Sequence, residues 1–525
     1  MKKKFCLMFF LIVNLFAHTY SQTLKEVTQY MLREQYSKAK SSLLAMMKSD
    51  PKNFNLHYYM GSIYLENDMT DSARYWFMEG IKGNPEAALN YVGMAKITLA
   101  TNPTESKANA DKALSLAKKD AAVYMALAEY YLSGDKKDPA RALEMANKTI
   151  EINKREMMHY IMIGDAYNEN NDGSNAVKNY KLAITMDPKS PVPHWKIGRL
   201  YLSVKNYESG EQSFKDGLAL DNTFSPIHRD LGEIYFRKGK NADAIACYKK
   251  YIELRDRSND VELRYASFLF YNKDYTSALA TLNALEKRNY DNIALYRIMG
   301  YCYYETGDMI KANEYMQKFF SKADEKKIIT NDYVYMGKIY SKDKKDSLAI
   351  IYYSKALERD PSKVELYGEL GMLYLTNKQF DKAAEMFTAK INKTQPTAND
   401  YFQLGRSYYL NEKYTQADSA FSKVIEMRPE ITMGYLWKGR SLASIDTTLK
   451  QGLAKPVYEK LIEVGKADPE KNKKDLIEAY SYLGYYHYAI TKDRAKSDEA
   501  WQNILKLDPN NKKAQEALQL NKTLR

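Results

Sequence analysis

The residue types able to do chemistry in this sequence are few and scattered. Beyond residue 21 the histidines are His57, His159, His194, His228 and His487, and no two lie within four residues of each other. A helical metal site or a metalloprotease motif needs such a pair on one face, so neither is expected. Cys247 and Cys302 lie more than 50 residues apart, and that spacing supports buried free thiols rather than a zinc site or a disulfide framework. No phosphate-cradling glycine loop and no serine elbow is present. The nearest approach to a metal site is Asn168, Asn170, Asp172 and Gly173, the first half of a calcium-loop pattern. Asn179 stands where such a loop needs a bidentate carboxylate, so the stretch reads as a turn between helices. No catalytic residue, cofactor or metal is expected, and the chain is read as a non-enzymatic one.

The composition says what must position any functional surface. The 525 residues hold 46 Tyr against 17 Phe and 4 Trp, with only 14 Pro and 23 Gly, a combination of amphipathic rings and few breakers that suits helix packed on helix. The formal charge is +13, three of it from Lys2, Lys3 and Lys4. The remaining excess is spread among alternating Lys and Glu, without the patch or tail of a nucleic-acid binder, and no nucleic-acid partner is expected. The N-terminus has a basic start, an apolar run from Phe5 to Ala17, and small residues at Thr19 and Ser21. That run is too short to span a bilayer and reads as a signal peptide over 1–21, cleaved before Gln22, with no membrane-spanning segment left afterwards.

Self-similarity organises the rest. Blocks beginning at 157, 191 and 225 align without gaps, with Gly164, Gly198 and Gly232 at the eighth place and Tyr167, Tyr201 and Tyr235 at the eleventh. The twentieth place holds Ala176, Gly210 and Ala244, and the twenty-fourth holds Tyr180, Phe214 and Tyr248. The pattern returns as Gly61, Tyr64, Ala73, Phe77 and Pro85, as Gly337, Tyr340, Ala349, Tyr353 and Pro361, and as Gly405, Tyr408, Ala417, Phe421 and Pro429. Apolar residues at helical spacing make each half-block an amphipathic helix, and a pair of such helices can hide its apolar face only by stacking on a neighbour.

This set of positions resembles the tetratricopeptide repeat. The resemblance covers nearly all of the chain beyond residue 21 and implies an all-α, right-handed superhelical solenoid of about fourteen helix-turn-helix repeats. The expected layout is an N-terminal array over 22–323, a linker at 324–329, a C-terminal array over 330–511, and a charged capping helix at 512–525. Residues 86–120 are expected to have only a weak second helix, and extra loop length is expected around 133–141 and after Gly439.

The resemblance further implies that the first helix of each pair lines a concave groove, with motif positions 5 and 9 on one stripe. Read off this sequence, the stripe is Trp195, Arg199, Arg229, Arg297, Tyr301, Lys338, Arg406, Arg440 and Tyr485. Arginine grips carboxylates and aromatic rings give contact area at low entropy cost, so the expected partners are proteins or peptides with acidic segments. The functional expectation is a scaffold or adaptor of a bacterial cell envelope, periplasmic or associated with the outer membrane in a membrane-associated complex. The alternative is a carbohydrate- or peptidoglycan-binding surface protein, or the accessory subunit of an envelope enzyme.

Overall fold

The structure is a computed structural model that describes residues 23–523, so the segment read as a signal peptide lies outside the described residues. Among those described, the chain is all helix and turn, arranged as fourteen helical hairpins and a closing helix, Lys512–Thr523. The block at 191 forms Val192–Ser203 and Tyr207–Leu220; the block at 398 forms Ala398–Leu410 and Tyr414–Met427. The stretch 86–120 departs from expectation, since Pro103–Leu116 is a full second helix. Asn102 caps it by accepting from the Glu105 amide at 3.2 Å, Pro103 occupies its first turn, and Ala110 and Ala113 are buried. Cap and small-residue packing there replace the motif's aromatic and proline.

The contact that sets the hairpins built on the full motif is glycine against ring. A Cβ built on Gly198 would lie 2.4 Å from the Phe214 ring, one on Gly164 2.4 Å from Tyr180, and one on Gly405 2.6 Å from Phe421. The eighth and twenty-fourth places of one repeat are thus in contact, and no side chain fits between them. The turn that folds the hairpin is equally regular. Asp172, Asn206, Lys240, Asp308, Gln379 and Lys413 each donate their amide to the carbonyl five residues earlier, at 2.8–2.9 Å. The residue before each is left-handed: Asn171, Lys205, Gly239, Gly307, Lys378 and Glu412. This is the helix-ending motif in which an αL residue lets the chain reverse and reach an orphan carbonyl.

Two compact units are present, divided between Leu295 and Tyr296. The expected linker at 324–329 is not that division, because it lies inside the second unit. It holds a single 3₁₀ turn, Glu325–Lys327, and the Arg297 guanidinium ties it to the preceding hairpin by donating to the Lys327 carbonyl at 2.5 Å. The extra length expected in two places forms loops, around Gly134 in the first unit and around Gly452 in the second, where Asp446 accepts from the Gly452 amide at 2.8 Å.

Replacing Gly405 by alanine should destabilise the second unit by about 1–3 kcal/mol through overpacking against Phe421. Urea unfolding is the measurement, and the cost should shrink when Gly405→Ala is combined with Phe421→Leu.

Candidate functional site

In two repeats the ring that fills the hairpin is matched to the ninth place of the first helix; the repeat of Tyr353, with Lys338 there, is built otherwise. Where the twenty-fourth residue is tyrosine, its buried hydroxyl needs an acceptor. Tyr180 donates to Asp165 at 2.8 Å and Tyr248 to Glu233 at 3.0 Å, each acid standing at the ninth place of the same repeat. Burial first, and the acid second, hold both phenols well above the ordinary tyrosine range. The following repeat then supplies a cation: Lys196 lies 2.6 Å from Asp165, and Arg264 grips Glu233 with two hydrogen bonds of 2.8 and 2.9 Å. Where the ring is Phe214 or Phe421 there is no hydroxyl to satisfy, and the ninth place holds Arg199 or Arg406.

In the first unit, three of the residues expected on the stripe converge on one acid. Trp195 donates its indole nitrogen to Asp230 at 2.7 Å, Arg229 reaches the same carboxylate at 2.8 Å, and Arg199 stands 3.8 Å from it. Trp195 is a correction to the expected contact surface: it is only 8% exposed, packed edge-on against Phe224. Its indole fills the space between neighbouring first helices. Arg199 stays half-exposed, with its guanidinium over the Trp195 ring at 5.2 Å.

In the second unit, Arg297 and Tyr301 also meet on one acid. Asp332 is wholly buried; it accepts from Arg297 at 2.8 and 3.1 Å, from the Tyr301 hydroxyl at 2.5 Å, and from the Ile329 amide at 2.7 Å. Tyr301 is the second correction, being buried with its face stacked on Tyr335 at 3.9 Å. Arg440 is held by Glu478 through bonds of 2.7 and 2.6 Å and lies over Trp437. The expected cationic stripe is therefore largely neutralised, because the carboxylates come from the next repeat, 35 and 38 residues on. Reading one repeat at a time misses them; comparing each cation with the acid one repeat later would have found them.

Three residues of the stripe remain available. The Lys338 amine lies over the rings of Tyr335 and Tyr304 at 5.3 and 5.9 Å, and among the described residues no carboxylate is within ion-pairing distance of it. Arg406 donates to the Gln403 amide oxygen at 3.1 Å, and among the described residues no carboxylate is within ion-pairing distance of it. Tyr485 is 57% exposed.

The other chemical residues fall into structural places. Asp172 caps the helix Gly173–Met186 by accepting from the Asn175 amide at 3.0 Å, and that hydrogen bond holds its carboxyl below the usual range. Asn170 and Asp172 stand in the turn between two helices, Asn168 lies in the last turn of the first and Gly173 begins the second. Burial holds His57, His194, His228 and His487 below the ordinary imidazole range. Burial likewise pushes the thiols up, Cys247 to about 11 and Cys302 to about 12. Among the described residues no group of three or more His, Cys, Asp or Glu is placed to hold a metal ion, and no helix is long and apolar enough to cross a membrane.

Sequence profiles of the tetratricopeptide repeat match residues 352–385 and, in a second form, 160–190, 230–257, 333–363 and 401–431. The C-terminal part of a TPR repeat-containing protein from Cytophaga hutchinsonii is 42% identical; the match spans 49% of this chain and 99% of that one, with a TM-score of 0.42. The chain belongs to the tetratricopeptide-repeat family. A tetratricopeptide repeat protein from Parabacteroides merdae is 17% identical over 48% of this chain and 98% of its own, with a TM-score of 0.33. A thermophilic TPR protein from Thermus thermophilus is 21% identical over 41% and 97%, with a TM-score of 0.28. Members of the tetratricopeptide-repeat family act as scaffolds that bind other proteins.

Two outcomes follow from these partnerships. Arg297→Ala should cost about 3–5 kcal/mol in urea unfolding because it strands the buried Asp332 charge, while Arg406→Ala should change stability by no more than about 0.5 kcal/mol. Both thiols should resist maleimide labelling at neutral pH in the folded chain, since raised pKa values leave almost no thiolate, and both should label once the chain is unfolded.

Proposed function

We propose that this protein is a scaffold or adaptor of a bacterial cell envelope whose second unit binds acidic segments of partner proteins along its first-helix face. The observation that carries the reading is a pair of cations with no acid partner among the described residues. Arg297 and Arg440 are spent on carboxylates of the next repeat, whereas Lys338 and Arg406, at the ninth places of their own repeats, are not. The ring edges of Tyr304 and Tyr335 beside Lys338 add contact area next to the charge. A partly exposed guanidinium or ammonium beside aromatic rings favours an incoming carboxylate, by charge and by low ordering cost.

Two further observations favour proteins over sugars as partners. Tyr301 and Tyr335 turn their faces to each other, and Trp195 is buried, so broad ring faces for stacking on a sugar are not on offer at these places. Placement in the envelope rests on the basic and apolar N-terminal segment, which has the form of an export signal. Fractionation of cells making the tagged full chain tests that part, and retention in the cytoplasm would remove it.

The binding test is capture of partners from envelope extracts with the wild-type chain and with Lys338→Glu/Arg406→Glu. The double variant should keep the wild-type melting temperature and lose acidic partners by about tenfold or more, which corresponds to about 1.4 kcal/mol. An unchanged partner set would remove this face from the proposal.

A further inference from the structure

The first hairpin of the first unit, residues 23–32 and Tyr36–Ser49, reaches back across the sequence to the seventh. Its turn carries Glu34 in the left-handed conformation, φ 58°, with Gln35 donating to the Tyr30 carbonyl at 2.9 Å. The same turn elsewhere bears glycine at Gly239 and Gly307, for which the αL conformation is free of the Cβ penalty. Here it points an acid into a cationic pocket. The Glu34 carboxylate accepts from Arg229 at 2.8 Å and from the Tyr251 hydroxyl at 2.6 Å, and lies 3.1 Å from the Arg255 guanidinium. Its side chain is 16% exposed.

The surrounding contacts are polar and come from main chain as much as from side chains. Asp256 donates its amide to the Glu34 carbonyl at 3.1 Å, Ser225 its hydroxyl to the Arg33 carbonyl at 2.6 Å, and Gln35 its side-chain amide to the Leu254 carbonyl at 2.7 Å. Arg33 pairs with Asp221 at 2.5 Å. Partners separated by 188 to 219 residues are joined through a turn of five.

We propose that Arg229, Tyr251 and Arg255 form a carboxylate receptor, that Glu34 occupies it in cis, and that on release of the first hairpin it takes an acidic side chain of a protein partner. The charge balance is the reason. Without Glu34, Arg229 would keep only Asp230, which also serves Trp195 and Arg199, Arg255 would lose its carboxylate, and the buried Tyr251 hydroxyl would lose its acceptor. Unpaired buried donors of this kind are costly, and an incoming carboxylate restores every bond. Arg and Tyr sunk in a partly desolvated pocket are also the residue types that dominate protein interfaces. This site lies in the first unit and does not depend on Lys338 or Arg406.

The test uses the full chain with Glu34→Ala and the closer mimic Glu34→Gln. Amide hydrogen exchange should rise about tenfold or more over 29–37 and 225–256 in Glu34→Ala, while 398–440 stays at its wild-type rate, which shows that the repeats remain folded. A fluorescent oligoglutamate peptide should bind Glu34→Ala about tenfold more tightly than wild type, Glu34→Gln should fall between, and adding Arg229→Ala and Arg255→Ala should abolish the gain. Unchanged exchange would overturn the clasp. Faster exchange with no gain in peptide binding would overturn the receptor and leave a structural staple. Failure of the second-unit reading is seen separately, as peptide binding to the wild-type chain that Lys338→Glu/Arg406→Glu does not lower.

Discussion

A missing Cβ against an aromatic ring is the constraint on which the rest of the molecule depends. With Gly198 and Phe214, Gly164 and Tyr180, or Gly405 and Phe421 in contact, the two helices of a hairpin lie too close for any other pairing of residues at those two places. That closeness fixes which residues of the first helix are left on its face. Interiors packed at this density do not average over alternatives, and the same choice recurs in Gly61 and Phe77, Gly337 and Tyr353, and Gly371 and Phe387.

The choice of ring then propagates into electrostatics. At Tyr180 and Tyr248 the twenty-fourth place brings a hydroxyl into the interior of the hairpin, and Asp165 and Glu233 answer it. The acid in turn draws Lys196 or Arg264 from the next repeat. A phenylalanine makes no such demand, and the face at that level is free to carry Arg199 or Arg406. In these repeats polar satisfaction inside the hairpin and charge available outside it are thus one problem. The two clusters at Asp230 and Asp332 show the same economy: one carboxylate gathers an arginine and an aromatic donor, and the surface charge that those arginines would have provided is cancelled.

The family and the hairpin count were readable from spacing, because the period imposes glycine, ring and turn at fixed places whatever fills the rest. Pro103–Leu116 escaped notice since its helix is secured by a cap and alanine packing, with neither the motif's ring nor its proline. The division into units escaped too, for the polar stretch at 324–329 resembles a linker in composition while Arg297 binds it to its neighbour. Among the stripe residues, Arg406 meets the Gln403 amide oxygen and Lys338 the rings of Tyr335 and Tyr304. Trp195 and Tyr301 do not, because the next repeat presents an acid to each.

What the sequence alone determined is periodic: helix, turn, closing helix, and the family they make, all set by contacts within one repeat or between adjacent ones. What only the tertiary structure decided is which charges are spent and which are left. That depends on partners one repeat away, as with Arg440 and Glu478, or on the opposite end of a unit, as with Glu34 and Arg229. A thirty-four-residue pattern carries no information about a contact 195 residues distant. Such a contact arises from the way successive hairpins bring the first turn back to the seventh, and it exists only once they are stacked.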